Sequence, residues 1–199
     1  MGDRMTEVNH LVEVLLGGDD AQAEQTLLAI ALADGDQIVS AFERRLPGVD
    51  CDGRWWMARA LATIQQPQSV MLLNRLLDDP DSDVRACAAM ALGELHAISG
   101  AEGADVLASH LADENAHVAE ICTVALWRIG ASAVPILVRK LQTGSPLERI
   151  RAAKALVPIE SHEAIPALIG ALDDENAVVT HYAEEALERM GVGMTYFKP

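Results

Sequence analysis

A pair formed by alanine and a following aliphatic residue recurs six times along the chain, at steps of 31, 31, 34, 30 and 31 residues. A leucine lies fourteen residues before each pair, and another large apolar residue lies four residues before that leucine. The six pairs are Ala29-Ile30, Ala60-Leu61, Ala91-Leu92, Ala125-Leu126, Ala155-Leu156 and Ala186-Leu187. Self-similarity at a fixed period is typical of repeat proteins, in which each unit buries its apolar face against its neighbours. The sequence therefore predicts about six stacked units.

Within each unit the apolar residues form two groups with spacings of four, which is the spacing along one face of an α-helix. Polar breaks rich in turn and N-cap residues separate the two groups, as at 78–81 and 173–176. The run Ser-Pro-Leu-Glu at 145–148 predicts a capping box with proline at the first helical position. Gly130 and Gly191 are candidates to end second helices. Each unit is thus expected to be a helix pair, and a longer loop at 98–103 would explain the step of 34 residues.

These patterns predict an all-α fold, namely a right-handed α-solenoid of about six two-helix repeats. Ala and Leu are strong helix formers and are abundant, whereas aromatic residues make up only 4% of the chain. No stretch resembles a linker, so we expect a single domain over 1–199. The units are expected at about 5–34, 35–65, 66–96, 97–130, 131–160 and 161–191, followed by a tail at 192–199.

Two segments carry a family resemblance: DSDVRACAAMALGEL at 81–95 and RIRAAKALVPI at 149–159. They resemble the short HEAT-like repeats named after phycobilisome bilin lyases. Pro135 and Pro166 stand at equivalent places in two first helices, as such repeats often show. The resemblance covers 66–191 well and 5–65 loosely, and it implies the solenoid fold. It does not imply one function, because such repeats occur in lyase subunits and in scaffolds.

The net charge of −15 argues against nucleic acid as a partner, because a nucleic-acid binder needs a basic surface to replace condensed counterions. The three cysteines form no CxxC motif, which is typical of a reducing compartment. The first twenty residues do not resemble a signal peptide, and no run of 18 apolar residues predicts a membrane span. We therefore expect a cytoplasmic protein that binds neither nucleic acid nor a membrane.

Deoxyhypusine hydroxylase is similar in fold and binds iron through His-Glu pairs at the start of second helices. No His-Glu pair occupies the equivalent positions of this chain, which hold Ala86-Cys87, Glu120-Ile121, Ile150-Arg151 and His181-Tyr182. No phosphate-binding loop and no nucleophile motif is present either. We expect no catalytic residue, no metal and no cofactor, and Arg85 and Arg149 are interpreted as structural residues that brace the turn between the two helices of a repeat.

The second helix of each repeat is expected to line the concave wall of the solenoid. If the positions equivalent to Ala88, Ala91, Leu92 and Leu95 are buried, those equivalent to Ala86, Met90 and Gly93 should face outward. An apolar stripe at exposed positions would indicate a partner surface. The alternative is that the helix is rotated and that these residues belong to the core. The candidate partner-binding residues are Trp55, Arg59, Met90, Val124, Trp127, Ile150, Lys154, Val157, His181 and Glu185.

The sequence therefore favours a non-enzymatic interaction or scaffold module that binds a protein or peptide in an apolar groove with an acidic C-terminal end. The alternative is a factor similar to a bilin lyase that handles a chromophore, whose propionates would pair with Arg59 or Lys154. The high negative charge favours a monomer or a weak homodimer.

Overall fold

The computed structural model describes the backbone of residues 2–192 and the side chains from residue 5. All regular structure in this part of the chain is helical, and it forms twelve α-helices joined by short turns and 3₁₀ segments. The predicted tail, apart from Val192, lies outside the described residues. The helices are α1 (Gly2–Leu15), α2 (Asp20–Leu32), α3 (Gly35–Arg45), α4 (Cys51–Leu61), α5 (Pro67–Leu76), α6 (Ser82–Glu94), α7 (His96–Ser109), α8 (Ala116–Ile129), α9 (Val134–Thr143), α10 (Pro146–Ile159), α11 (Ile165–Gly170) and α12 (Ala177–Arg189).

The twelve helices form six consecutive pairs, which confirms the predicted all-α solenoid of two-helix repeats. Odd-numbered helices are the first helices of the repeats, and even-numbered helices are the second. Contacts group the chain into two compact units, an N-terminal unit of residues 1–99 and a C-terminal unit of residues 100–199. The single domain expected over 1–199 stays a prediction.

The core of each unit is built from the repeated apolar positions. Ala88, Ala91, Leu92 and Leu95 are all buried, as the sequence predicts. The leucine that precedes each alanine pair by fourteen residues is buried in four repeats and half-buried at Leu46 and Leu172. The buried leucines of this column are Leu15, Leu77, Leu111 and Leu141.

Side chains cap the N-terminal ends of seven of the twelve described helices, as the turn residues predict. The capping box is present: Glu148 accepts a hydrogen bond from the backbone N–H of Ser145, and Ser145 caps α10. Gly130 follows α8 with φ 71°, a left-handed conformation that glycine adopts at little cost. Carboxylate and amide caps satisfy N–H groups that have no partner within the helix. These caps are Asp19, Asp34, Asp50, Asp81, Asn115 and Asn176.

The prediction of a loop at 98–103 is wrong. The segment belongs to α7, and its one non-helical residue is Gly100, with φ 54° and ψ −151°. Ser99 lies just before this break, where its hydroxyl donates to the carbonyls of Leu92 and Leu95 at 2.9 and 3.0 Å. The long repeat step is therefore absorbed by a break within a helix at glycine, which tolerates a positive φ.

Equivalent arginines bridge successive repeats within each unit. Arg54 donates through Nε and Nη2 to the two carboxylate oxygens of Asp79 at 2.6 and 2.9 Å. Arg149 makes the same two contacts with Asp174 at 2.8 and 3.1 Å. Arg85, in the same column, donates through Nη1 to the backbone carbonyl of Asp79 in the turn of its own repeat at 2.9 Å. These contacts support a structural interpretation of the arginine column, and they extend it to Arg54, which the sequence analysis missed although it occupies the same column.

The segment Ala116–Thr143 has the length and apolar composition of a membrane span. In the structure it consists of α8 and α9, which are separated at Gly130, and half of its most apolar window is buried inside the protein. Core helices of water-soluble proteins commonly have this composition, so the segment is weak support for a membrane span.

Candidate protein-binding faces on the second helices

The exposed line along each second helix consists of three positions, which lie five residues before, one before and three after the repeated alanine. Because four residues make slightly more than one helical turn, these positions follow one another along a single face. We call this line the outer stripe. In the N-terminal unit it comprises Glu24, Leu28, Leu32, Trp55, Arg59, Thr63, Ala86, Met90 and Glu94. In the C-terminal unit it comprises Glu120, Val124, Arg128, Ile150, Lys154, Pro158, His181, Glu185 and Arg189. Only Ala86 among them is buried.

The expectation that the Gly93 column faces outward is wrong at two positions. Gly93 is buried, and Val157 in the same column is only 5% exposed. This column lies one residue before the last position of the outer stripe, which turns it by about 100° around the helix, out of line with the stripe. Val157 is therefore a core residue. Trp127 in the same column remains 45% exposed.

An ion pair on the outer stripe of the N-terminal unit connects α2 with α4. Arg59 donates through Nη2 and Nε to the two carboxylate oxygens of Glu24 at 2.8 and 3.3 Å. This hydrogen bonding raises the pKa of Arg59. The guanidinium of Arg59 also lies 5.7 Å from the ring centroid of Trp55, within the range of a cation–π contact. Trp55 in turn meets the edge of Trp56 at 4.9 Å.

Large apolar side chains on the same unit are exposed. Leu28 and Leu32 on α2 are 75% and 89% exposed, and Met90 on α6 is 44% exposed. The sequence analysis missed the two leucines because it compared only the middle repeats. The signal was available, since Leu28 occupies the column of Met90 and Leu32 the column of Glu94.

An open cavity of about 270 Å³ lies beside this stripe in the N-terminal unit. Burial raises the pKa of the Cys87 thiol to about 12, so that it is a neutral, weakly polar part of the wall at physiological pH. The cavity brings together the predicted residues Arg59 and Met90. Its lining residues are Leu27, Arg59, Ala62, Thr63, Cys87, Met90, Ala91 and Glu94.

The outer stripe of the C-terminal unit has the same kind of ion pair. Lys154 Nζ donates to Glu120 Oε1 at 2.5 Å, which connects α10 with α8. These residues occupy the columns of Arg59 and Glu24. Val124 and Ile150 are half-buried on the same two helices, and the exposed indole of Trp127 lies on α8.

The stripe on α12 ends this unit with mixed charge. His181 is exposed, and its ring lies 5.5 Å from the ring of Tyr182. Glu185 pairs with Arg189 at 3.6 Å, while Glu184 and Glu188 are exposed on the same helix. The predicted residues His181 and Glu185 thus lie on the expected face, in the helix with the most glutamates of the six second helices.

The sequence matches the family of HEAT repeats over residues 40–127 and 104–188, which together exceed half of the chain. The chain belongs to the HEAT-repeat family. None of the curated proteins matches it significantly.

Solved structures of similar fold include several repeat proteins. An engineered protein is 23% identical and has a TM-score of 0.52, with 94% of this chain and 97% of the other covered. The complex of CpcE and CpcF of phycocyanin lyase from Nostoc sp. PCC7120 is 20% identical, with a TM-score of 0.51 and coverages of 92% and 77%. A designed armadillo repeat protein in complex with the peptide (KR)4 is 20% identical, with a TM-score of 0.50 and coverages of 92% and 99%. The predicted likeness to phycobilisome-lyase-type repeats is thus confirmed at the level of the fold.

Metal binding by these HEAT repeats would require a cluster of His, Cys, Asp or Glu side chains. Within the described part of the chain, no group of three or more His, Cys, Asp or Glu side chains is placed to hold a metal ion. The second-helix positions that would carry His-Glu pairs hold instead Ala86-Cys87, Glu120-Ile121, Ile150-Arg151 and His181-Tyr182. The expectation that the protein binds no metal stays a prediction.

Proposed function

We propose that this HEAT-repeat protein is a non-enzymatic interaction module that binds a protein or peptide segment along the exposed faces of its second helices, which comprise the outer stripes and the exposed indole of Trp127. The observation that carries the proposal is the set of large apolar side chains left exposed on the second helices: Leu28, Leu32 and Met90 on the outer stripe, and Trp127 one residue before Arg128 of the stripe. Exposed apolar side chains grouped on one face are typical of partner surfaces, and an aromatic residue is the usual centre of such a surface.

The ion pairs on these faces support the proposal. Arg59 is held by Glu24, and Lys154 by Glu120, so that two of the stripe's basic side chains are already paired within the protein. The faces therefore offer apolar contact between neutralised charges, although the whole chain carries a net charge of −15. A solenoid of similar fold, the designed armadillo repeat protein, has been observed with a bound peptide.

The proposal is tested with a dodecapeptide library displayed on phage and selected against the full chain. Selected peptides are synthesised with a fluorophore, and their affinities are measured by fluorescence anisotropy. Each selected peptide should bind more weakly to Trp127→Ala, or to the double variant Leu28→Ser with Leu32→Ser, than to the unsubstituted protein. The loss should be about 2 kcal/mol where the substituted residue is a central contact. Met71→Ala is the matched control, because Met71 is also exposed but lies on the first helix α5.

Two results would contradict the proposal. One is a selection that enriches no peptide. The other is a set of peptides whose affinities change no more with the two second-helix variants than with Met71→Ala. Far-UV circular dichroism of each variant separates a loss of binding from a loss of folding.

A chromophore-handling factor similar to a bilin lyase is less well supported. That function assigned Arg59 and Lys154 to the propionates of a tetrapyrrole, and both side chains are held by glutamates. A propionate would have to displace Glu24 or Glu120 to reach them. An absorbance shift on addition of bilin, abolished by Arg59→Glu and Lys154→Glu, would favour this function over peptide binding.

For the oligomeric state and the location of the protein, we propose a monomer or weak homodimer in the cytoplasm.

A further inference from the structure

We infer that the cavity between α4 and α6 is an anchor pocket for one large aliphatic side chain of the partner segment, and that Glu94 at its rim pairs with a neighbouring Lys or Arg of that segment. The inference rests on the proposed function and specifies the chemistry of the partner. It concerns the N-terminal unit alone.

The size and the walls of the cavity fit an aliphatic side chain. Its volume is about 270 Å³, and apolar cavities of about 150 Å³ are known to admit a benzene molecule. Leu27, Ala62 and Ala91 supply apolar walls, and the Cys87 thiol is protonated at neutral pH. Met90 lies at the opening and is 44% exposed, and its unbranched side chain can adapt to a guest.

A small residue at one repeated position keeps the cavity open. Ala62 lies two residues after the repeated alanine, in the column that holds Trp127 and Val157 in the C-terminal unit. A larger side chain at this position would occupy the space that Ala62 leaves beside Met90. The same column therefore offers a substitution that fills the pocket without removing any existing contact.

The charge at the rim selects a basic neighbour for the aliphatic residue. Glu24, Arg59 and Glu94 together carry a net charge of −1, and Arg59 is hydrogen-bonded to both oxygens of Glu24. Glu94 is exposed and, among the described residues, makes no ion pair. It also ends α6, whose last turn contains no basic residue, so that its carboxylate lies at the negative end of the helix dipole. A cation brought by the partner would relieve this unfavourable placement.

The test uses the selected dodecapeptides described above and four single variants of the full chain. We expect the peptides that bind the N-terminal unit to carry Leu, Ile or Met next to Lys or Arg. Ala62→Leu, which fills the pocket, and Glu94→Lys, which reverses the rim charge, should each weaken their binding at least tenfold. Ala97→Leu and Glu43→Lys are the matched controls, because both residues are exposed but lie outside the second helices, and they should change the affinity less than twofold.

The outcomes separate this inference from the proposed function. If peptides bind and lose affinity with Leu28→Ser and Leu32→Ser but not with Ala62→Leu or Glu94→Lys, the pocket assignment is wrong and the interaction face stands. If Glu94→Lys weakens binding no more than Glu43→Lys, the effect is one of net charge, and the pairing at the rim is wrong. If no peptide binds, both proposals fail. Glu94 is exposed, so its variant tests the inference even if Ala62→Leu proves unstable.

Discussion

Two valines on second helices of the C-terminal unit allow the orientation of the outer stripe to be measured directly. Val157 on α10 is buried, whereas Val124 on α8 is half-buried and belongs to the stripe. The same substitution, Val→Ala, removes the same atoms from both positions. We expect Val157→Ala to lower stability with no effect on partner affinity. Val124→Ala should weaken partner binding and have only a small effect on stability.

The magnitudes follow from burial. Val→Ala removes two methyl groups, and each buried methylene or methyl contributes about 0.8 kcal/mol. At Val157 this gives about 1.6 kcal/mol, to which the cavity left behind adds, so that the free energy of unfolding should fall by about 2 kcal/mol. At Val124 part of the side chain is already in water, and the loss should stay below about 1 kcal/mol.

Urea denaturation followed by circular dichroism measures both losses on the full chain, and equal slopes for the two variants establish that the midpoints can be compared. Peptide affinity is measured in the same preparations and expressed per folded molecule. The assignment of the stripe would be refuted if Val124→Ala destabilised the protein as much as Val157→Ala, or if only Val157→Ala weakened binding.

Further predictions test the core, the turn contacts and the absence of metal. Leu141→Ala in α9 should cost about 2–5 kcal/mol, and a loss below about 0.5 kcal/mol in urea would show that the repeat alignment is wrong. The hydrogen bond from Arg149 holds the pKa of Asp174 below its ordinary value, so the stabilisation by this pair is present at neutral pH and is lost below about pH 4 as Asp174 becomes protonated. Asp174→Asn should therefore reduce the fall of Tm on acidification. If Tm fell with pH as steeply in Asp174→Asn as in the unsubstituted protein, this contribution of the Arg149–Asp174 pair would be contradicted. Elemental analysis of untagged protein should find no stoichiometric iron or zinc; one equivalent that disappears in His181→Ala would overturn the expectation.

The sequence predicts the helix pairs well because burial imposes the same requirement on every repeat. A column such as that of Leu77 or Leu92 is apolar throughout, so its period identifies the units and the face that each helix buries. Helix rotation was less well predicted, because it depends on one position in each turn. Val157 and Trp127 share a column, yet the first is in the core and the second is exposed, and only packing against neighbouring helices decides which.

The side-chain contacts between repeats could not be predicted from the sequence pattern. Glu24 and Arg59 are 35 residues apart, and Lys154 and Glu120 are 34 apart, so that each pair is formed only when two second helices pack side by side. The segment around Gly100 was predicted as a loop because a glycine-containing segment of extra length can adopt several conformations. In the structure it is helical on both sides of Gly100.

The position one residue before the repeated alanine connects the fold to the proposed function. Where it holds Arg59 or Lys154, the side chain forms an ion pair with a glutamate of the preceding repeat, and both partners remain partly exposed. Such pairs contribute about 0–1 kcal/mol, so stability is a weak reason for their presence. Their larger effect is to neutralise a glutamate on each proposed binding face of a strongly acidic protein. Where the same position holds Leu28, Met90 or Val124, the face is apolar instead. A partner is thus expected to be recognised by apolar contact at these positions, and general attraction to the negative charge of the chain should contribute little.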